Sequence, residues 1–139
     1  MNELKNKFIL ELMRFNRRDI IMENKVDLSK SEIALLFNLY FKKECNCAKD
    51  LVKELNFSKS MITTMLNNLE DKEYIIKEFD NKDRRKINII ITKKGNNFVK
   101  SSIHNMDKKI DSIICKLGNL ETEKFISLMS SIMEVLDND

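Results

Sequence analysis

The sequence lacks proline and tryptophan altogether, and only 2 of its 139 residues are glycine. Proline and glycine are the residues that most often interrupt helices, so their scarcity predicts long helices joined by short connections. The 3 cysteines are an odd number and do not form a disulfide framework. With a single histidine, the chain also has little of the residue most used for acid–base catalysis and metal binding.

Long apolar runs are absent too. No stretch approaches the roughly 18 apolar residues that a membrane-spanning helix needs, so no membrane partner is expected. Charges at Glu3, Lys5, Lys7 and Glu11 break the pattern of a signal peptide. The missing signal-peptide pattern, together with cysteines that are not expected to form disulfides, predicts a cytoplasmic protein. A chain that is 42% hydrophobic and 34% charged is expected to form one globular domain.

The sequence contains no arrangement typical of catalysis. It has no glycine-rich phosphate loop, and no serine or cysteine stands beside a local activating base. We therefore predict that the protein is not an enzyme and needs neither a cofactor nor a metal. Cys45 and Cys47 are closer together than a common zinc-binding pair. A redox role for Cys45, Cys47 or Cys115 is left open, although Cys115 is expected to lie in the core.

Charge is distributed unevenly along the chain. The net charge is only +3, but positive side chains concentrate in residues 82–94 and acidic ones in residues 119–139. A basic patch on an otherwise balanced surface is typical of a protein that presents one face to a polyanion.

Most of the chain shows helical periodicity. The first helix, expected over residues 2–24, carries a stripe of Leu4, Phe8, Leu12 and Phe15. Further helices are predicted over residues 29–42, 47–55, 58–71 and 92–117, and a last one through residues 125–136. The second helix opens with a capping box formed by Ser29 and Glu32. The fifth carries a heptad-like seam, which comprises Val99, Ile103, Met106, Ile110, Ile113 and Leu117.

One β-hairpin interrupts the helices. Residues 74–79 and 87–91 are rich in isoleucine and flank the polar loop 80–86. Ile87, Ile89 and Ile91 fall on one face of the second strand. The predicted fold is therefore mainly α with a small β-hairpin wing: a winged helix-turn-helix plus N- and C-terminal dimerisation helices.

The fourth helix has the composition of a DNA-reading helix. One face carries short hydrogen-bonding side chains, and the other carries Met61, Ile62, Met65, Leu66 and Leu69. Hydroxyls and amides can reach base edges in the major groove, whereas carboxylates would repel phosphates. The candidate DNA-binding residues of this helix are Ser58, Lys59, Ser60, Thr63, Thr64 and Asn67. Taken alone, this pattern is also what an ordinary surface helix with one polar face would show.

The tip of the hairpin strengthens the DNA-binding interpretation. The candidate wing residues are Lys82, Asp83, Arg84, Arg85 and Lys86. Arginine is attracted to the negative potential of a narrow minor groove, and Asp83 can pair with Arg85 to hold its guanidinium in place. A solvated charge run is the alternative reading of these residues.

The wing, together with the helices before it, resembles the MarR family of regulators. The stretch from Asp80 through Asp83-Arg84-Arg85 to Thr92-Lys-Lys-Gly95 is similar to that family's wing signature. The segments 49–55 and 58–70 resemble its helix-turn-helix. The sequence departs from the family in three places: Thr64 replaces a frequent arginine, Glu73 stands where a glycine often ends the recognition helix, and Ile91 replaces a leucine.

The resemblance implies a specific organisation. Residues 28–95 would form the DNA-binding part, and residues 1–27 and 96–139 would form dimerisation helices of a single MarR-type domain. A homodimer would bind double-stranded DNA at a palindromic operator, with Arg85 as the wing arginine and Asp83 as its partner. It would act as a repressor released by a small-molecule effector or by another signal. Two alternatives remain: a winged-helix protein-interaction module, and terminal stripes that only cover the monomer's own core.

Overall fold

The computed structural model describes residues 2–18, 26–42, 47–83 and 86–139. Its elements follow the order α1 (Asn2–Arg17), α2 (Lys30–Phe41), α3 (Ala48–Leu55), α4 (Lys59–Asp71), β1 (Ile75–Phe79), β2 (Ile87–Ile91), α5 (Lys93–Leu117) and α6 (Asn119–Asp137). The predicted order of four helices, a hairpin and two helices is confirmed. The first helix was predicted to reach residue 24. In the structure α1 ends at Arg17, and residues 19–25 lie outside the described part of the chain.

Side-chain caps begin three of the helices where the sequence predicts them. At α2, the amide N–H of Glu32 donates to Ser29 Oγ over 3.1 Å. At α4, the N–H of Met61 donates to Ser58 Oγ over 3.1 Å. Each bond satisfies a backbone donor that has no partner within its helix, which fixes where the helix starts. Between α3 and α4, Asn56 adopts a left-handed backbone with φ of 52°, which asparagine tolerates better than most residues.

The strands β1 and β2 pair antiparallel, from Ile75 opposite Ile91 to Phe79 opposite Ile87. Ile75 and Ile89 are buried on the face that packs against the helices, as the alternation predicts. Beyond β2, Thr92 Oγ1 accepts from Gly95 N over 3.2 Å and so caps α5. A Cβ at Gly95 would lie only 2.4 Å from the Tyr74 carbonyl oxygen. Glycine is therefore required where α5 crosses the base of the hairpin.

The core lies within the helix-turn-helix and the hairpin. Its members are Leu28, Ile33, Leu35, Leu36, Leu39, Leu51, Ile62, Met65, Leu66, Leu69, Tyr74, Ile75, Ile89 and Val99. This single cluster positions α4 and the hairpin relative to each other, because both contribute buried side chains to it.

The terminal helices contribute little to that core. Every described side chain of α1 is exposed, including Phe8 at 51%. The described α6 has no buried residue. The alternative in which the terminal stripes cover the monomer's own core is therefore wrong for α1 and α6. Cys115 was expected in the core and is instead exposed on α5, since the outer half of α5 extends beyond the core cluster.

Candidate DNA-binding surface

The helix α4 is divided sharply into two faces. Ile62, Met65, Leu66 and Leu69 are buried against the core. The predicted reading face is exposed and comprises Ser58, Lys59, Ser60, Thr63, Thr64 and Asn67. Met61 departs from the prediction, because it is 39% exposed rather than packed inside. It lies in the first turn of the helix, beside the reading face rather than over the core.

Two hydroxyls of the reading face are already engaged within the helix. Thr63 Oγ1 donates to Lys59 O over 2.9 Å, and Thr64 Oγ1 donates to Ser60 O over 3.0 Å. With its proton used in this way, each threonine presents an acceptor oxygen and a methyl group to the outside. These groups suit contact with base amino groups and thymine methyls.

The reading face is joined to the wing through Lys77 of β1. The Lys77 backbone N–H donates to Glu70 Oε2 over 2.9 Å, and Lys77 Nζ lies 3.8 Å from Glu70 Oε1. Lys77 Nζ also donates to the side-chain oxygen of Asn67. Sequence reasoning missed Glu70 and Lys77, because a contact between a helix and a following strand leaves no periodic signal. The inward-facing position of Lys77 beside Ile75 was the one available hint.

The described residues of the wing tip are exposed and are held by hydrogen bonds that backbone N–H groups donate. Lys82 N donates to Asp80 Oδ1 over 3.1 Å, Asp80 N donates to Lys86 O over 3.0 Å, and Lys86 N donates to Asp83 O over 3.0 Å. The exposed positions of Lys82, Asp83 and Lys86 agree with their assignment to a solvent-facing tip. Arg84 and Arg85 lie outside the described residues, so the pairing of Arg85 with Asp83 remains a prediction.

The end of α4 has an unusual backbone. Glu73 has φ of 67°, and Tyr74 N donates to Leu69 O over 2.9 Å. This is the left-handed helix end that glycine commonly provides. It turns the chain from α4 into β1 over the three residues 72–74, so the reading face and the wing are joined by a short connection.

Basic side chains surround that junction. Lys72 Nζ donates to the Asp27 carbonyl oxygen and lies 3.9 Å from Oε2 of Glu32, whose side chain is only 9% exposed. Lys94 Nζ donates to Lys72 O over 2.7 Å and sits 4.5 Å from the centre of the Tyr74 ring. Burial raises the pKa of the Tyr74 phenol, and the charge of Asp27 adds to the shift. These contacts link the start of α2 to the end of α4.

The part of the chain that the structure describes offers no group of three or more histidine, cysteine or acidic side chains gathered to hold a metal ion. Among the described helices, none is long and apolar enough to cross a membrane. Cys47 Sγ lies 2.8 Å from Asp50 Oδ2, and the backbone of Cys47 forms an isolated antiparallel bridge with Asn88 of β2.

Comparison with known proteins decides the family. Residues 20–102, more than half of the chain, match the model of the family described as transcriptional regulator SarA/Rot. The chain belongs to the SarA/Rot family of transcriptional regulators. The family match includes α2 to β2 and the first part of α5, so it covers the whole candidate surface.

Similarities to individual proteins are consistent with this family assignment. It is 30% identical over 86 residues to the uncharacterized HTH-type transcriptional regulator YwhA of Bacillus subtilis (strain 168), and the match spans 62% of the length of each protein. The fold is similar to that in the S. aureus MepR–DNA complex, with a TM-score of 0.73 and 19% identity over 94% of this chain and 97% of MepR. It is also similar to a MepR-like protein complexed with pseudoligands, with a TM-score of 0.68 and 20% identity over 99% and 96% of the two chains.

These similarities confirm the predicted fold. MepR is a MarR-family regulator, so the resemblance drawn from the wing signature and the recognition helix is confirmed at the level of the fold. The SarA/Rot-family chain is a winged helix-turn-helix protein with additional helices at both ends.

Proposed function

We propose that this SarA/Rot-family regulator binds double-stranded DNA in a sequence-specific manner as a homodimer. The observation that carries the proposal is the arrangement of α4 and the hairpin. The exposed polar face of α4 is free of carboxylates from Ser58 to Asn67. Lys77 of β1 connects this face to a wing with an exposed basic tip, because it donates hydrogen bonds to Glu70 and Asn67 of α4. One rigid unit thus offers a major-groove reader and a minor-groove probe.

The basic side chains and the polar face of α4 would have different tasks. Lys59, Arg84, Lys86 and Lys93 would contact phosphates and set the affinity, whereas the exposed hydroxyls and the amide of α4 would read bases. We assign the minor-groove contact to Arg85, on the strength of the wing signature in the sequence.

Dimerisation would bring two such units onto one operator. The apolar faces of α1 and α6 are exposed in the chain: Leu4 is 73% and Leu128 is 63% exposed. An apolar surface of this extent is typical of a protein interface. Isologous packing would produce a two-fold symmetric dimer, as a palindromic operator with half-sites about one helical turn apart requires.

The remaining parts of the proposal concern regulation. We propose a cytoplasmic, non-enzymatic repressor whose DNA affinity a small molecule lowers. Residues 28–95 would form the DNA-binding part, and residues 1–27 and 96–139 would form the dimerisation helices. The MepR-like protein that shares this fold was solved with pseudoligands, which supports an effector for this chain without identifying one.

The experiment is selection of bound duplexes from a random double-stranded DNA library, followed by affinity measurement over a range of salt concentrations. We expect a two-fold symmetric consensus and a steep fall of log affinity with log salt. Arg85→Ala should lower affinity by about 1–3 kcal/mol. Negligible affinity for every duplex, even at low salt, would contradict the proposal and favour a protein-interaction module.

A further inference from the structure

We infer that Lys77 is a positioning residue that determines which bases Asn67 reads. By donating to the side-chain oxygen of Asn67, it turns the two N–H donors of that amide toward the DNA. The inference rests on the proposed DNA-binding function, and it concerns a residue that makes no base contact itself.

Lys77 is well placed for this task. Its strand position is fixed by the bond from its backbone N–H to Glu70 Oε2, at 2.9 Å, and its ammonium is held near the same carboxylate, at 3.8 Å. The Lys77 side chain is only 22% exposed. It therefore approaches Asn67 from the protein side, while Asn67 itself is exposed on the reading face.

The chemistry of the contact fixes the amide orientation. An ammonium group is a donor and never an acceptor, so it must face the Asn67 oxygen rather than the amide nitrogen. The amide nitrogen, with its two N–H groups, is then directed away from Lys77. A flip of the amide would place N–H groups against an ammonium, which is repulsive.

This orientation changes the expected base code. A free asparagine pairs with adenine in a bidentate manner, accepting from N6 and donating to N7. With one lone pair of its oxygen engaged by Lys77 and its amide nitrogen directed outward, Asn67 presents its two N–H donors to the bases. These donors suit guanine, with its acceptors O6 and N7, or thymine, with its acceptor O4. We expect the base opposite Asn67 in each half-site to be guanine or thymine and the adenine preference of a free asparagine to be suppressed.

The test uses the full-length protein and the duplex selected from the random library, with all four base pairs placed at each half-site position in turn. Asn67→Ala identifies the position that Asn67 reads, because discrimination disappears there. At that position Lys77→Met should shift the preference toward adenine by about fivefold or more relative to guanine and thymine. Lys77→Arg, which keeps a donor, should retain the wild-type preference.

Lys82→Met is the matched control. It removes one lysine charge from the exposed wing tip, so it should weaken binding to all four base pairs by the same factor. Asn67→Asp leaves Lys77 and its strand unchanged and checks independently that residue 67 reads the base at this position. A carboxylate has no donor, so one oxygen would face Lys77 and the preference should move to bases that carry amino groups, adenine and cytosine.

The outcomes separate the two ideas. If Asn67→Ala removes discrimination but Lys77→Met keeps the wild-type order of bases, the role of Lys77 is wrong and the DNA-binding function stands. If the wild-type protein binds no duplex, the proposed function fails, and this inference fails with it.

Discussion

One backbone torsion at the end of α4 controls how the reading face joins the wing. Glu73 has φ of 67°, a region in which side chains other than glycine are strained by about 1–2 kcal/mol. The strain persists because the hydrogen bond from Tyr74 N to Leu69 O holds the short turn that leads from the helix into β1. The sequence keeps a costly residue at a position that needs a left-handed turn.

Glu73→Gly should therefore stabilise the protein by about 1 kcal/mol. The measurement is the free energy of unfolding in urea. Asp71→Gly is the matched control, because Asp71 is exposed in the last turn of α4 and glycine there should destabilise by about 0.5–1 kcal/mol. Equal losses of unfolding free energy in Glu73→Gly and Asp71→Gly would show that Glu73 is not under strain.

The neighbouring Tyr74 gives the protein a dependence on alkaline pH. Its pKa is raised by burial, so the folded state holds the phenolic proton more tightly than the unfolded state does. The stability that the protonated Tyr74 phenol gives to the folded state is fully present below the pKa of about 10 that tyrosine has in the unfolded chain. It is lost as the pH rises through the pKa of Tyr74 in the folded protein. Near neutral pH the phenol is protonated in both the folded and the unfolded state, so it does not make the free energy of unfolding depend on pH there.

We expect Tyr74→Phe to flatten the loss of stability in the alkaline range. The free energy of unfolding should be measured for both proteins between pH 8 and pH 11, with about 10 as the onset of the difference. Tyr40→Phe, which leaves Tyr74 in place, should keep the wild-type slope. A Tyr74→Phe protein that loses stability as steeply as the wild type would contradict the assignment.

At the scale of elements, the start of α4 combines two roles in one residue. Ser58 Oγ accepts from Met61 N over 3.1 Å and caps the helix, and it also lies at the edge of the proposed DNA-contacting face. Substitution by alanine would alter both roles, so it cannot distinguish them. Aspartate is as good a cap as serine, but its carboxylate would face phosphate oxygens.

Ser58→Asp should keep the free energy of unfolding within about 0.5 kcal/mol while lowering DNA affinity, because the cap is preserved and a repulsive charge is added. Ser58→Ala is the comparison, with an expected loss of about 1 kcal/mol of stability. Urea unfolding and duplex titration on the same samples provide both readouts. Unchanged affinity in Ser58→Asp would place the DNA away from this end of α4.

The elements could be predicted from the sequence because their signals are local. Ser29 and Ser58 are caps, isoleucines alternate in β2, and Gly118 ends α5, so each boundary follows from a few adjacent residues. The contacts of the site were harder to predict. Lys77 meets Glu70 and Asn67 only because Glu73 turns the chain sharply, and no periodicity encodes that meeting.

At the scale of the whole molecule, burial is concentrated in the middle of the chain. The core cluster lies between Leu28 and Val99, whereas α1, α6 and the outer half of α5 keep their apolar side chains exposed. Helix formation alone does not stabilise such amphipathic helices in water, because most helical stability in proteins comes from packing an apolar face. We therefore expect the terminal helices to pack against a surface outside this chain, and a second copy offers an identical one.

The decisive test of the proposed dimer is to place a charge within that surface. Phe8 is central to the α1 stripe and 51% exposed in the single chain. If it is buried between protomers, Phe8→Glu should leave a carboxylate unpaired in an apolar interface and yield a monomer with weakened operator binding. Asn6→Glu adds the same charge to the opposite face of α1 and should remain dimeric. Sedimentation equilibrium distinguishes the two. A Phe8→Glu protein that is still dimeric would exclude α1 from the interface, while a monomeric wild type would remove the symmetric basis for operator recognition.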